Sequence, residues 1–465
     1  MEGQSPSTSP SVDHRISTIA ARIERLPLGR VHRRFIALVS LGIWFDFYDI
    51  FMVAYIGAAL QQSGFLTLKE FSLFVAAGFL GMFIGTIIFG LGSDRMGRRT
   101  AFIFMLIIYS IFTLAGALAP SAVWLILLRF FAGIGIGAEI VVIDTYVTEM
   151  APSNARGRYV AITQIVAFSA VPVAAMLSRW LVPTHFLMSG WRWVMVIGAL
   201  GALLVWYFRR RLPESPRWLE SRGRHQEAER IIAAFELESD QRTAASVKSD
   251  PRLESAPPTS APEPVSLAEL WRPPYRRRTI MLIVFQALQT VGIYGFANWA
   301  PTFLLKQGIT LLKSLNYSLA IALVCPVGPA ISALTSDRLE RKWTIVILSV
   351  LIAAFGLAFS LSRTPTAIIT SGVLVTICSY WFSAAFHAYQ SELFPTRIRA
   401  TGVGFTYSWS RLSAALSSLL IGRVLEHSGV TAVFVVICSS MIGVALDVAV
   451  FGPKTNRRVL EHLSH

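Results

Sequence analysis

The stretch SDRMGRR at residues 93–99 returns as SDRLERK at 336–342, and EMAPSNARG at 149–157 returns as ELFPTRIRA at 392–400. Both echoes share one register. Asp94 to Asp337, Glu149 to Glu392, Pro152 to Pro395 and Arg156 to Arg399 are each 243 positions apart. Four coincidences at a single offset mark an internal repeat, so the second half of the chain is built like the first. Between these basic stretches lie long apolar runs, and their length decides what kind of protein this is.

The chain of 465 residues is 54% hydrophobic and only 15% charged. A water-soluble chain of this length needs far more charge to cover its surface, so a soluble enzyme is excluded and lipid is the main solvent. Lys and Arg outnumber Asp and Glu by 42 to 27, a net charge of +15. A nucleic-acid-binding protein would gather those cations on one face or tail. Here they sit in short runs between apolar stretches, as in cytoplasmic loops, and no nucleic-acid partner is expected. Cys325, Cys378 and Cys438 are odd in number and each lies in an apolar run. They suggest neither a disulfide framework nor a metal site.

A crossing takes about 20 apolar residues at 1.5 Å rise each. Twelve segments qualify, near 35–60, 69–92, 101–119, 122–147, 159–182, 190–208, 279–305, 314–336, 343–361, 366–390, 400–422 and 430–452. Starting inside and alternating sides puts Arg95, Arg98, Arg99, Arg156, Arg158, Arg338, Arg341, Lys342, Arg397 and Arg399 all on the cytoplasmic face. Dropping one helix would invert half of that asymmetry, so both termini are expected inside. The expected organisation is a cytoplasmic tail (1–34), a six-helix bundle (35–208), a cytoplasmic segment (209–278), a second six-helix bundle (279–452) and a cytoplasmic tail (453–465). Within the middle segment, PRWLESRGRHQEAERIIAAFE reads as one helix and SAPPTSAPEP as a linker without a site. The fold class is all-α: twelve transmembrane helices in two pseudo-symmetric bundles about a central cavity.

GLGSDRMGRRT between the second and third spans resembles the loop signature of the major facilitator superfamily, and PESPRWL after the sixth span resembles its sugar-porter-like branch. DFYD in span one and YGFANWAP in span seven are most similar to bacterial metabolite:H+ symporters of the aromatic-acid and niacin type. The resemblance covers nearly the whole chain. It implies a multi-pass protein of the cell's inner membrane that is not an enzyme and carries no cofactor or metal. Its partners would be the bilayer, a small-molecule substrate and H+, and a monomer is expected.

Ionisable groups inside a bilayer need an explanation. Asp46 and Asp49 are three apart on span one and share a face; span four carries Arg129, Glu139 and Asp144. A buried carboxylate that gains and loses an arginine partner can load and release a proton. In the sugar-porter branch the span-one Asp pairs with the Arg before the glycine run of span four, and the resemblance carries these roles to Asp49 and Arg129. Phe47 stands where the family pattern has Gly. Asp49 is thus expected to carry the proton, Arg129 to be its switchable partner and Asp46 to tune it; a permanent ion pair joining spans one and four is the alternative. Arg411, mid-span in YSWSRLSAAL, seeks either a substrate carboxylate or an interhelical acidic partner. Gln286, Gln289, Tyr294, Asn298, Gln164, His387 and Glu139 are further candidates for the substrate site, although a lone His among aromatics such as His387 is more often a hydrogen-bonded core residue. Tyr380, Trp381, Tyr389, Gln390 and Trp299 add an aromatic and amide lining suited to a planar ligand.

Asp94, Arg95, Arg98, Arg99, Asp144, Glu149, Arg156, Glu214 and Arg217, with the repeat-related Asp337, Arg338, Arg341, Glu392 and Arg399, are expected to form cytoplasmic gate networks that hold the halves together and favour an outward-open state. Orientation signals account for part of this arginine content. Gly133, Gly135 and Ala138 fit a loose dinucleotide fingerprint, but no strand precedes them. Gly133 with Gly137, and Gly81 with Gly85, instead have the spacing that lets membrane helices approach closely. The function expected is a proton-coupled importer of a small organic acid, an aromatic carboxylate in the first instance. A sugar symporter, an exporter of organic cations and a transport-dead sensor are the alternatives.

Overall fold

The computed structural model describes residues 22–23, 29–137, 139–150, 153–209, 212–243, 267–273, 275–335, 338–394 and 398–455. Every regular element among them is helical. The first half comprises α1 (Arg30–Gln62), α2 (Leu68–Met96), α3 (Arg98–Ala117), α4 (Ala122–Gly137), α5 (Glu139–Met150), α6 (Ser153–Phe168), α7 (Ala170–Leu181) and α8 (Gly190–Arg209). Two short helices, α9 (Pro216–Ser221) and α10 (His225–Thr243), follow. The second half runs through α11 (Tyr275–Ala297), α12 (Ala300–Lys306), α13 (Leu311–Ala322), α14 (Val327–Thr335), α15 (Arg341–Leu361), α16 (Pro365–Glu392) and α17 (Arg399–Phe451). Among the described residues, ten helices are long and apolar enough to cross a membrane, and Ala122–Gly137 is a shorter apolar one.

Local chemistry sets the ends. Thr67 caps α2 by accepting from Glu70 N (3.2 Å), while Glu70 accepts from Thr67 N (2.8 Å), a reciprocal capping box. Pro365 opens α16 behind Thr364, whose hydroxyl accepts from Ala367 N (3.3 Å). The 53 residues of α17 are interrupted at Gly429, where φ is +77°. There the chain doubles back. Ser413 on one limb donates to Ala287 O (2.5 Å), and on the other limb Met441 packs against Gly292, so both limbs lie along α11.

Several spans expected to be continuous are broken. The chain between 153 and 181 interrupts at Ser169, α11 gives way to α12 at Asn298 and Trp299, and α13 gives way to α14 over 323–326. Asn298 and Trp299 fall inside YGFANWAP, where Pro301 withholds an N–H and the backbone relaxes just before it. The middle segment is two helices, not one. At Gly223 φ is +72°, so the backbone takes a left-handed turn between α9 and α10.

The glycine run of α4 is a packing device. A Cβ on Gly133 would lie 2.2 Å from Gly78 O, and one on Gly137 would lie 2.1 Å from Met82 O. From the other side, Gly81 and Gly85 would place a Cβ 2.1 Å from Phe130 O and Ile134 O. Gly135 points elsewhere, onto Met105 and Tyr109 of α3. Backbone thus meets backbone on two faces of one helix, the small-residue contact that replaces hydrophobic driving force in lipid. Gly133→Leu is expected to wedge α2 from α4 and to destabilise the bundle by about 3 kcal/mol or more. Thermal unfolding of the detergent-solubilised protein should show a lowered Tm, and an unchanged Tm would contradict this packing.

Candidate functional site between the two halves

Asp49, midway along α1, is fully buried, and Arg129 of α4 is 5% exposed. Arg129 Nη1 donates to Asp49 Oδ2, and its Nη2 lies 3.4 Å from the Asp49 backbone oxygen. Thr113 of α3 donates to Asp49 Oδ1 (3.3 Å). The guanidinium also sits 5.7 Å from the centre of the Phe74 ring, a cation–π contact, and Gly78 of α2 makes room for it: a Cβ there would be 2.9 Å from Arg129 Nε. The sequence places Asp49 and Arg129 80 positions apart; four helices bring them together. Asp46 is fully buried one turn earlier on α1.

Arg411 on α17 is 2% exposed. It donates through Nη1 to Tyr294 Oη (3.0 Å) and through Nη2 to Tyr407 Oη (3.3 Å), and it lies 5.2 Å from the centre of the Tyr407 ring. Both acceptors are phenol oxygens, and both tyrosines line the cavity described next.

Beside Arg411, a small cavity lies between the halves. Gln164 from α6 and Gln289, Tyr294 and His387 from the second half line it, together with Phe47, Phe51, Phe168, Tyr380, Phe386 and Tyr407. Its walls are aromatic, a surface on which planar rings stack. A second cavity shares Phe51, Ile293 and Tyr380 with it as a common wall. The rings of that wall interlock: Tyr380 lies 6.2 Å from Phe51 and 4.4 Å from Phe168.

A chain of amides runs behind the cavity. Gln289 Nε2 donates to Gln286 Oε1 (3.1 Å), Gln286 Nε2 to Gln390 Oε1 (2.8 Å), and Gln390 Nε2 meets His387 Nδ1 (3.1 Å). With Nδ1 accepting, the neutral His387 ring carries its proton on Nε2. His387 is therefore both a hydrogen-bonded residue and part of the lining. Glu139 is fully buried at the start of α5 and lies apart from the lining of both cavities. Asn298 faces a third, smaller space next to Arg129. Thr113, Gly78 and Phe168 were not signalled by sequence, since only the fold carries them to the site. Tyr407 was within reach of sequence reasoning, as it precedes Arg411 by one helical turn.

The profile described as "Sugar (and other) transporter" matches residues 35–465. The chain belongs to this family of the major facilitator superfamily. The putative metabolite transport protein YyaJ of Bacillus subtilis is 32% identical over 96% of this chain and 97% of its own length. The niacin transporter NiaP of Acinetobacter baylyi is 30% identical over 96% of this chain and 99% of its own. A gallate transporter of Pseudomonas putida is 27% identical over 87% and 88%. Among solved structures, the partially occluded inward-open xylose transporter XylE of E. coli superposes with a TM-score of 0.75 over 92% of this chain and 99% of that one, at 18% identity. The fold is that of a multi-pass membrane transporter.

In this transporter the repeat is visible as paired contacts. Arg98–Glu149 (3.2 Å) in the first half is matched by Arg341–Glu392 (3.2 Å) in the second, 243 positions on. Tyr146 donates to Pro213 O, and its counterpart Tyr389 donates to Pro453 O (3.0 Å). Glu214 accepts from Arg99 N (3.0 Å) at the positive end of α3, pressing against Gly97. In the second half Glu340 occupies the position of Gly97, supplies the carboxylate itself and accepts from Thr455 N (3.1 Å). These contacts were expected to join the two halves. Instead, both Arg–Glu pairs lie within one half, because each arginine opens the helix next to the one that ends in its glutamate. Arg95 and Arg338 are exposed, and Arg217 is half-buried on α9. Asp337, and the side chains of Asp94, Asp144, Arg156 and Arg399, lie outside the described residues.

Cross-half contacts gather at the opposite end of the bundle. Gln61 Nε2 donates to Thr302 Oγ1 (3.1 Å), Trp299 packs on Phe71 (5.0 Å between ring centres), and Arg179 Nε donates to Asn316 Oδ1.

At the Arg98–Glu149 end, Arg22 bridges Glu229 (2.6 Å) and Glu236 (2.7 Å) on α10, and Ile23 packs with Trp218, Leu219 and Ile232. Arg22 holds the Glu236 carboxyl below its ordinary value. Glu220, 8% exposed on α9, is pushed from 4.5 up to about 7, first by burial and then by the like charge of Glu229. A carboxyl with a raised native pKa holds its proton longer in the folded than in the unfolded chain. Its stabilising contribution is therefore complete below about pH 4.5 and is lost as pH rises through about 7. The Tm of the wild type is expected to fall across this window and that of Glu220→Gln to fall less. Parallel curves would show that Glu220 titrates as a solvated group.

Proposed function

We propose that this chain is a proton-coupled symporter of the cell's inner membrane that imports a small organic acid, an aromatic carboxylate in the first instance, by alternating access. The observation that carries this reading is Arg411: a fully buried guanidinium whose two phenol partners, Tyr294 and Tyr407, themselves line an aromatic-walled cavity between the halves, so that a ligand carboxylate replacing them would meet the cation. His387 Nε2 and Gln164 are donors for a second polar group on the ring. The identity of about 30% to a niacin transporter supports an organic acid over a sugar.

Proton coupling rests on Asp49 and Arg129. A carboxylate buried with a guanidinium is stable only while paired, so protonation of Asp49 frees Arg129 and changes which arrangement of the halves is favoured. Asp46, fully buried one turn away on the same helix, sets a second carboxyl beside the proton site. The twelve-span topology with both termini cytoplasmic belongs to this proposal. Its supports are the two limbs of α17 either side of Gly429, the apolar helix Ala122–Gly137 beside the ten longer candidates, and the 243-residue repeat. The Arg98–Glu149 and Arg341–Glu392 pairs then lie on the cytoplasmic side, and the cross-half contacts close the outer side. The inner ends of the helices act as the gate.

In proteoliposomes with an acidic exterior, the wild type is expected to accumulate nicotinate or gallate while the external medium turns alkaline. Asp49→Asn should lose accumulation but keep exchange of the same ligand across the membrane. Arg411→Ala should lose the ligand's stabilising shift in Tm, with binding weakened about tenfold or more. Accumulation of xylose or an organic cation in place of both acids would overturn the acid reading. Undiminished accumulation by Asp49→Asn would remove Asp49 from its role.

A further inference from the structure

One interruption in a helix touches both buried cations. Tyr294, in the last turn of α11, accepts from Arg411. Four residues on, Asn298 stands in the break before α12, 1% exposed, with its Oδ1 buried and without a hydrogen-bond partner. It faces the other cation. Asn298 and Arg129 line the same small cavity, and the remaining lining, Ile50, Val53, Val75, Gly78, Phe79 and Met82, is apolar. Arg129 Nε is likewise buried there without a partner. Arg129 belongs to the first half and Asn298 to the second.

A buried guanidinium must keep an acceptor, because leaving it uncompensated in an apolar surround is far more costly than bending a flexible side chain. When a solvent proton adds to Asp49 Oδ2, the carboxyl becomes neutral and its hold on Arg129 weakens. Among the described residues lining the cavity, Asn298 Oδ1 is the side-chain acceptor left. We propose that Asn298 is the alternative acceptor for Arg129: proton loading exchanges the N–H···O contact with Asp49 for one with Asn298, and Arg129 keeps its own proton throughout. An ion pair inside the first half becomes a hydrogen bond between the halves.

The break is the right place for such a contact to have consequences. Residue 299 is the tryptophan that packs on Phe71, and residue 302 accepts from Gln61, so the segment that would hold Arg129 also closes that end of the bundle. The charged and titratable groups facing Asp49 are Arg129 from α4, Tyr109 from α3, and Tyr48 and Asp46 from its own helix; α2 brings Phe74 and Gly78. Asn298 acts on Asp49 through Arg129, as a positioning residue.

The inference rests on Asp49 carrying the proton, and a measurement without substrate separates the two ideas. In the full-length protein reconstituted in liposomes, the infrared C=O band of protonated Asp49 is isolated as the difference between wild type and Asp49→Asn and followed against pH. Asn298→Ala removes the alternative acceptor and is expected to weaken proton binding about tenfold, moving the midpoint about one pH unit to the acid side. Asn298→Asp, nearly isosteric, competes harder for the guanidinium and is expected to move the midpoint the other way. It carries the test alone if the alanine variant does not fold. A midpoint unmoved in the folded variants overturns the role of Asn298 and leaves Asp49 as proton carrier. A wild type without the Asp49 band at any pH overturns both.

Discussion

A carboxylate and a guanidinium taken out of water together depend on each other for tolerating the interior. Alone, each would give up several kcal/mol of hydration with nothing to replace it. The Asp49–Arg129 pair is in that position, and much of the first bundle is arranged around it. Thr113 supplies a further donor, Phe74 a ring face, and Gly78 the space that a methyl group would fill. The glycines that follow Arg129 by one and two turns, Gly133 and Gly137, draw α4 onto the backbone of α2 and so fix how deep the guanidinium sits. The same contacts that hold the helices together set the electrostatics of the site.

The second bundle answers with a different cation in a different setting. Arg411 is held by phenols, not by a carboxylate at ion-pair distance, and so keeps more of its charge available. Around it, aromatic rings and a chain of amides make a cavity of many weakly polar surfaces, lined by the same two tyrosines that hold the guanidinium. The break between α11 and α12 joins the two settings, with Tyr294 on one arginine and Asn298 beside the other.

Repeat symmetry explains the frame but not the site. Arg98–Glu149 and Arg341–Glu392, and the tyrosines at 146 and 389, repeat nearly contact for contact because both halves face the same task of ending spans at the same surface. Toward the centre the symmetry is spent: position 129 has arginine where 372, its repeat counterpart, has glycine, and position 411 has arginine where 168 has phenylalanine. Two cations thus stand in unequal halves, the asymmetry on which the proposed proton and ligand ends rest.

Much of this could be read from the chain itself. Apolar runs, basic punctuation and the 243-residue offset are local or periodic features, and lipid as solvent leaves a chain with such features little freedom beyond helices in two like bundles. The same logic singled out Asp46, Asp49, Arg129 and Arg411, because charge in an apolar run is conspicuous without any coordinates. What sequence could not supply was partnership. That Thr113 rather than another threonine reaches Asp49, that Arg411 meets tyrosines before any acid, and that the Arg–Glu pairs stay within a half depend on helix rotation and depth. Those are set by where small residues let backbones touch, over separations of 51 to 117 positions that no periodicity spans.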